Sequence, residues 1–486
     1  MEDLVGLSRR DFLRGLGVVS ATGLTLWAGG CESCKNQIQQ RPTRRNISNL
    51  PANDPIIQAY KDAVSAMKAL PASDGRNWTK QAQIHQSHCV HSNWWFLPWH
   101  RAYLFYFERI CRKLSGYNDF ALPYWNWTSS PSIPAPFWGP GNPLLNTTRT
   151  ATQASVANSS MVGSAKITEI LNLTNFFLFA SAQATTQQEF AGYGMLEGTP
   201  HNYVHGFVGG DMGAFMSPLD PVFWCHHNMI DCLWVDWNIN RGNPNTNDSN
   251  WSNFQFTDFV DENGSPVTVQ VITTVLYPIF SYQFEACGPT ALTAKIADRA
   301  LLEKFLREGA PAKLDFVKRF ELRQPVTAEV GKGAGATIKI EPEAFRTVLD
   351  TAGKDRAVLT VDEVEIPEKQ DVFVRVFINK PDASADTPIE DPHHAGSFAF
   401  FCCPPEPDKG VGHEGMTGTS HEATATGRPK AGYLVDVTPT LQRLSQGGSL
   451  PSGQLEVTLV PVPFDERPVT TQRITLGRIE VGVARF

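Results

Sequence analysis

The histidines are the feature that most restricts how this chain can fold. Eight of the twelve lie in two short clusters, at positions 85, 88, 91 and 100 and at positions 201, 205, 226 and 227. Core histidines bonded to backbone would explain one or two of these residues, but not two groups of at least three. The distribution predicts a helical scaffold that brings both clusters to a paired metal centre.

The second cluster contains a pair at helical spacing. His201 and His205 in the sequence HNYVH are one turn apart, so both imidazoles can reach one ion. The adjacent His226 and His227 point about 100° apart on a helix, so we expect only one of them to join that pair. We choose His227, with Asp231 one turn beyond it as a support, directly or through a neighbouring polar group.

The first cluster needs a break in its helix. His91 and His100 would face opposite ways on one continuous helix, and Pro98 supplies the interruption, because proline suits a first helical turn. His91 is then expected at the end of one segment and His100 in the first turn of the next. Imidazole sets without carboxylates suit copper or zinc rather than magnesium or calcium.

Composition excludes one class of partner. The 486 residues have a formal net charge of −7 and 19% charged residues, and no polybasic surface for nucleic acid is apparent. At the N-terminus, Arg9 and Arg10 precede a glycine-rich apolar run, which predicts an export signal over residues 1–34. It resembles the twin-arginine type, whose products are periplasmic or extracellular. Lipid anchoring at Cys31 is a minor alternative, and no transmembrane span is expected.

Two compositional halves predict an α+β multidomain protein. Residues 40–310 show helical periodicity, as in IIQAYKDAVSAMKAL, and we expect a mainly helical domain built on a four-helix bundle. Residues 326–486 contain alternating β-branched stretches such as VFVRVFIN and QLEVTLVPV, which predict a β-sandwich or a β-barrel. Residues 311–325 are expected to form the linker.

The motifs together resemble the tyrosinase, catechol oxidase and haemocyanin superfamily of binuclear copper proteins. The resemblance is carried by three segments: His91 with His100 and Arg101, the sequence HNYVH with SPLDPVFWCHHNMID, and LPYWNW at 122–127. By motif, the resemblance implies two copper ions and O2 as co-substrate. The implied ligands are His85, His91 and His100 for one ion and His201, His205 and His227 for the other, with His88 as the alternative to His85.

The resemblance also implies further site residues. Cys89, two residues before His91, matches a cysteine that forms a thioether with the histidine ring in some relatives, and a buried unmodified thiol is the alternative. Glu197 and Asn202 match the pair that holds and polarises a water for phenol deprotonation. Phe215 matches a phenylalanine at the copper entrance, with a plain core role as the alternative.

The reaction implied by the resemblance is the oxidation of small phenols, with hydroxylation of monophenols and oxidation of o-diphenols to o-quinones. The β-rich domain is expected to shield the site in a latent form, through one of three phenylalanines, Phe398, Phe400 or Phe401. The alternatives are a catechol oxidase or o-aminophenol oxidase without monophenol hydroxylation and, in another class, a haemocyanin-like O2-binding protein. A zinc hydrolase is a more remote alternative.

Overall fold

The computed structural model describes residues 41–288, 314–350, 355–401, 430–448, 450, 453–464 and 469–485. The predicted export signal over residues 1–34, including Cys31, lies outside the described residues. Within the described ranges, no helix is both long enough and apolar enough to cross a bilayer.

Helices dominate the first part of the chain. The helices of this part are α1 (Pro55–Ala69), α2 (Trp78–His88), α3 (Phe96–Ser115), α4 (Ser159–Val162), α5 (Ser164–Leu171), α6 (Phe176–Phe179), α7 (Asn202–Val208), α8 (Val222–Val235), α9 (Ser249–Ser252), α10 (Val271–Thr274) and α11 (Tyr277–Phe280). Helix α1 follows the capping residue Asp54, whose carboxylate accepts a hydrogen bond from the backbone N–H of Ile56, and α2 begins after Asn77, which caps it in the same way. Gly116 ends α3 in the left-handed conformation at φ 71°.

Four short strands accompany these helices. Strands β1 (Thr43–Arg44) and β4 (Gln283–Phe284) pair in parallel, and β2 (Gln255–Val260) and β3 (Pro266–Gln270) form an antiparallel hairpin. A disulfide between Cys232 in α8 and Cys287 joins the last long helix to the segment after β4. The described helices that carry the clustered histidines are α2, α3, α7 and α8, and their arrangement as a four-helix bundle remains a prediction.

The second part of the chain is built from antiparallel sheets. The elements are β5 (Asp315–Leu322), β6 (Val326–Glu329), β7 (Ala334–Lys339), α12 (Arg346–Leu349), β8 (Arg356–Glu365), β9 (Val372–Ile378), β10 (His394–Ala399), β11 (Lys430–Asp436), α13 (Thr438–Gln446), β12 (Gln454–Pro463), β13 (Arg473–Leu476) and β14 (Arg478–Arg485). One sheet has the order β10-β9-β12-β7 and another the order β11-β8-β14-β5, while β13 pairs with β6.

Two sequence expectations for this part need correction. Strand β5 occupies Asp315–Leu322, inside the segment 311–325 that we expected to be a linker, because these residues pair with β14 at the edge of its sheet. Among the described strands, neither four-stranded sheet closes on itself, so the barrel alternative is wrong. Both sheets contribute to one buried cluster, for example through Val376 and Leu359, and a sandwich remains the prediction.

The two parts of the chain share a hydrophobic core. The cluster that contains the helical aromatic residues also includes Phe373, Val460 and Phe464 from the β-rich part. Tyr193 and Tyr433 stack with ring centroids 5.0 Å apart, and backbone hydrogen bonds join Tyr193 to Gly432 and Leu434. The β-rich part is therefore packed directly against the elements that carry the histidines.

Candidate metal centre

Four α-helices, one π-helical turn and one loop position the clustered histidines. His85 lies in α2, His100 in α3, His205 in α7 and His226 with His227 in α8, while His91 lies in the loop between α2 and α3. His201 ends a π-helical turn over Glu197–His201, just before α7, where Pro200 cannot donate a helical hydrogen bond. As the spacing predicts, a break separates His91 from His100, and Pro98 lies in the first turn of α3.

Four of the imidazoles are oriented through Nδ1. The Nδ1–H groups of three donate to backbone carbonyls: His85 to Phe215 at 2.6 Å, His100 to Phe96 at 2.9 Å and His205 to Met212 at 2.6 Å. His201 Nδ1 donates to the side-chain oxygen of Asn202 at 2.9 Å. Such bonds fix the tautomer and leave the Nε2 lone pair free for a metal ion.

The free ring nitrogens converge. Nε2 of His85, His100 and His201 is buried and has no hydrogen-bond partner among the described residues, and Nε2 of His205 lies 3.2 Å from Nε2 of His227. One group consists of His201, His205, His226 and His227, and a second, which shares His227, consists of His85, His100 and His227. Within each group, one ring nitrogen per residue lies within 4.8 Å of those of the other members. These donor sets fit a pair of copper ions.

Burial keeps these imidazoles neutral. It lowers the pKa of His85 to about 3, and burial with neighbouring histidines lowers the pKa values of His91, His100, His201, His205 and His227 well below the ordinary value of 6.5. A neutral imidazole is the form that binds metal, so the site does not have to release protons before it accepts an ion.

The structure brings His85 into the cluster and leaves His88 outside it. The side chain of His88 is 48% exposed and its Nδ1 lies 3.5 Å from a carboxylate oxygen of Asp258, whereas His85 is fully buried.

Neither ring nitrogen of His91 has a hydrogen-bond partner among the described residues. Cys89 is buried, and one ligand atom each of Cys89, His85 and His91 lie within 4.8 Å of one another.

Glu197 is enclosed beside the histidines. Its carboxylate accepts hydrogen bonds from the backbone N–H of Ser92 at 2.8 Å and from the hydroxyl of Ser181. Burial raises the pKa of Glu197 well above that of an ordinary carboxyl, although these two donors oppose the shift. Asn202 accepts from His201 and donates to the carbonyl oxygen of Ala399 in β10 at 3.0 Å.

Aromatic side chains enclose the centre on the side of the β-rich part. The Phe215 ring is stacked with His91 at a centroid distance of 5.7 Å. The Phe401 ring lies 4.1 Å from the His205 ring, 4.8 Å from that of His91 and 5.6 Å from that of Phe215. Of the three candidate shielding phenylalanines, Phe401 faces the histidines, while Phe398 stacks on Tyr433 in the core of the β-rich part.

Asp231 is bonded to residues other than His227. It accepts hydrogen bonds from Arg101 Nε at 2.5 Å, from the Tyr282 hydroxyl at 2.6 Å and from Arg44 at 3.2 Å. His227 Nδ1 has no hydrogen-bond partner among the described residues, so of the two forms of support that we expected, direct or through a neighbouring polar group, the direct one is not seen there. The carboxylate instead ties α8 to α3 and β1 behind the centre.

Sequence reasoning missed three features. His226 lies within reach of the second histidine group, because the rings of His201 and His205 are flanked by both adjacent residues of α8. Ser92 and Ser181 hold Glu197 but follow no spacing rule that would identify them. The Cys232–Cys287 disulfide joins cysteines 55 residues apart, which sequence alone could not pair.

Comparison with known proteins identifies the family. The model of the common central domain of tyrosinase matches residues 75–160 and 140–240, a region that includes every histidine of the centre. The chain therefore contains the central domain of the tyrosinase family. A second family model, a domain of unknown function (DUF7868), matches residues 325–483.

Curated relatives of the tyrosinase family align over most of the chain. It is 27% identical to (+)-larreatricin hydroxylase of Larrea tridentata, over 93% of this chain and 79% of the relative. It is 26% identical to tyrosinase HcTyr1 of Hahella sp., over 90% of this chain and 98% of the relative. The shared central domain supports copper-dependent oxidation of phenols, and the imidazole clusters fit the family's binuclear copper centre.

Solved structures of the tyrosinase family share the fold across both parts of the chain. Latent apple tyrosinase aligns with a TM-score of 0.67 at 22% identity, covering 91% of this chain and 97% of that one. A latent aurone synthase aligns with a TM-score of 0.67 at 21% identity, covering 92% of this chain and 90% of that one. The likeness therefore extends to the β-rich part.

Proposed function

We propose that the protein is a tyrosinase, which hydroxylates monophenols to o-diphenols and oxidises o-diphenols to o-quinones, and that it is made in a latent form. The observation that carries the proposal is the convergence of buried, neutral imidazoles beside an equally buried carboxyl. His85, His91 and His100 would hold one copper ion, and His201, His205 and His227 the other. The bound pair would supply O2 activation and accept electrons from the phenol.

Glu197 and Asn202 favour hydroxylation as well as oxidation. A monophenol must release a hydroxyl proton with a pKa of about 10, and a base works best when its own pKa is not far below that value. Burial moves the pKa of Glu197 in this direction. With Asn202, Glu197 would hold and polarise the water that takes the proton.

Phe401 supports the latent form. Its phenyl ring lies over the imidazoles of His205 and His91, where a phenol would have to approach. The end of β10 is also hydrogen-bonded to the helical part. The carbonyl oxygen of Ala399 accepts a hydrogen bond from the side-chain amide of Asn202, and that of Ser397 accepts one from the hydroxyl of Thr199. Displacing this segment would open the centre and release the amide of Asn202 together.

A thioether between Cys89 and His91 is the second part of the proposal. Four of the other proposed ligands have their Nδ1 fixed by a hydrogen bond, namely His85, His100, His201 and His205. Neither ring nitrogen of His91 has such a bond among the described residues. A carbon–sulfur bond would fix this ring instead. Its formation removes one hydrogen from the thiol and one from the ring, and O2 at the copper centre would be the oxidant.

The domain boundaries and location are proposed together. We assign residues 1–34 to the export signal, 40–310 to the copper domain and the residues from β5 onwards to the shielding domain. Disulfides persist in oxidising compartments, so the Cys232–Cys287 bridge supports export to the periplasm or the extracellular space.

Oxygen uptake tests this function. Purified, copper-loaded protein would be assayed with a monophenol and its matching o-diphenol, before and after mild proteolysis. We expect uptake with both substrates, and more after proteolysis. Uptake with the diphenol alone would identify a catechol oxidase, and reversible O2 binding without turnover would identify a haemocyanin-like carrier.

A further inference from the structure

His226 is a buried imidazole that the three-histidine copper sites leave unused. It is 0% exposed in α8, directly before His227, and neither of its ring nitrogens has a hydrogen-bond partner among the described residues. A buried polar group without a partner costs free energy, and an apolar side chain at this position would avoid that cost. We therefore expect the imidazole of His226 to bind a ligand.

The geometry places that ligand at the second histidine group. One ring nitrogen of His226 lies within 4.8 Å of those of His201, His205 and His227. Ring centroids are 5.4 Å from His201, 5.0 Å from His205 and 5.1 Å from His227. Four imidazole nitrogens without a carboxylate suit a copper ion.

Trp127, a further polar neighbour of His226, does not satisfy it. The Trp127 ring lies 6.4 Å away and its indole N–H is also buried without a partner among the described residues. An indole can only donate, and no hydrogen bond joins it to either ring nitrogen of His226. The histidine group is thus the environment that can use this imidazole.

We propose that His226 is a fourth imidazole of the second copper site, which binds the ion while the first site is still empty. This inference rests on the proposed function, because it assumes that the chain takes up copper at these residues. His227 also belongs to the group formed with His85 and His100, so a ligand is available to exchange between sites as loading proceeds. His226 would keep the second ion bound during that exchange.

The first test is copper release from the full-length, loaded protein to a Cu(I) chelator, followed by the absorbance of the chelate. We expect His226→Gln to lose its copper about 10-fold faster or more, in line with the cost of removing a group that supports a metal site. Met229→Leu, at an equally buried position of α8, is the matched control and should release copper at the wild-type rate. Equal rates for His226→Gln and wild type would overturn the proposal.

A second measurement keeps His226 in place, in case the glutamine variant does not fold. A His100→Ala variant, with its first site disabled, would receive one equivalent of Cu(II), and histidine labelled with 15N would reveal the ligands in the electron paramagnetic resonance spectrum. Four coupled histidine nitrogens are expected, and three would overturn the proposal. Wild-type protein that neither holds copper nor oxidises a catechol would instead overturn the proposed function.

Discussion

At the scale of single residues, the role that we propose for Glu197 makes monophenol hydroxylation depend on its carboxyl group. In Glu197→Gln the side chain keeps its size and one carbonyl oxygen for Ser92, but it can no longer take a proton. We expect kcat/KM for a monophenol to fall about 100- to 10,000-fold, the usual contribution of a positioned base. Oxidation of the matching o-diphenol should change only a few-fold, and initial rates of oxygen uptake measure both.

A neighbouring glutamate provides the control for this experiment. Glu189 lies on the surface and accepts hydrogen bonds from Thr185, so Glu189→Gln should leave both reactions unchanged. Monophenol hydroxylation that survives Glu197→Gln combined with Asn202→Gly would remove the assigned roles of both residues.

At the same scale, the latent form that we propose depends on Phe401. Phe401→Ala removes the ring that lies over His205, and truncating a buried phenylalanine typically costs about 3 kcal/mol of packing. We expect o-diphenol oxidation without proteolysis to rise at least about tenfold, since 1.4 kcal/mol corresponds to tenfold in an equilibrium. The comparison is Phe398→Ala, which weakens the β-rich core without facing the histidines. Equal activation by both variants would indicate general loosening rather than removal of a plug.

At the scale of elements, helix α7 depends on a glycine to receive the β-rich part. A Cβ atom on Gly206 would lie 2.7 Å from the Phe464 ring and 2.9 Å from the backbone oxygen of Gln370. Gly206→Ala should therefore displace this contact, while alanine favours the helix itself by about 1 kcal/mol. We expect higher o-diphenol oxidation without proteolysis, with both copper ions retained.

Gly213 offers a matched position for this test. A Cβ atom there would lie 3.6 Å from the side-chain oxygen of Gln370, an ordinary contact with the same residue of the β-rich part. Gly213→Ala should therefore leave the protein latent. Both variants would be compared by oxygen uptake and by their rates of cleavage under mild proteolysis; an unchanged rate for Gly206→Ala would show that the contact does not hold the shield.

Elements also show what sequence can and cannot predict here. Periodicity predicts α1, and proline predicts the break before His100 and the first turn of α3, because these signals are local. The partners of Asp231 could not be predicted, because Arg44 comes from a strand 187 residues away. The expected linker is partly strand β5, whose sequence is half charged and largely exposed, because these residues pair with β14.

The candidate site shows the same division. Helical spacing brings His201 and His205 to one group, as the structure has them. The same spacing argument, applied to α8 alone, would allow only one of His226 and His227 to join that group, whereas both lie in it. The crossing of α7 and α8 decides which rings meet, and that crossing is a tertiary feature. Likewise, which of three phenylalanines faces the histidines depends on where β10 ends against α7.

At the scale of the whole molecule, burial of so many imidazoles makes the copper-free protein sensitive to acid. Burial lowers the pKa of His85 and of His394 to about 3, and it lowers the pKa values of His91, His100, His201, His205, His226 and His227 well below 6.5. In the unfolded chain, these groups return to the ordinary value of 6.5. Between those values, the unfolded chain binds protons that the folded protein cannot.

The free energy of unfolding of the copper-free protein should therefore fall as the pH falls below about 6.5, because stability rises with pH wherever the unfolded state binds more protons. Urea unfolding at about pH 7.5 and about pH 5 measures the change as a lower midpoint at the acidic pH. His394→Gln, which removes a histidine of the β-rich part, should make the pH dependence shallower by its own share. An equal midpoint at the two pH values would mean that the clustered imidazoles gain protons in the folded state, and the neutral, metal-ready centre described above would then be wrong.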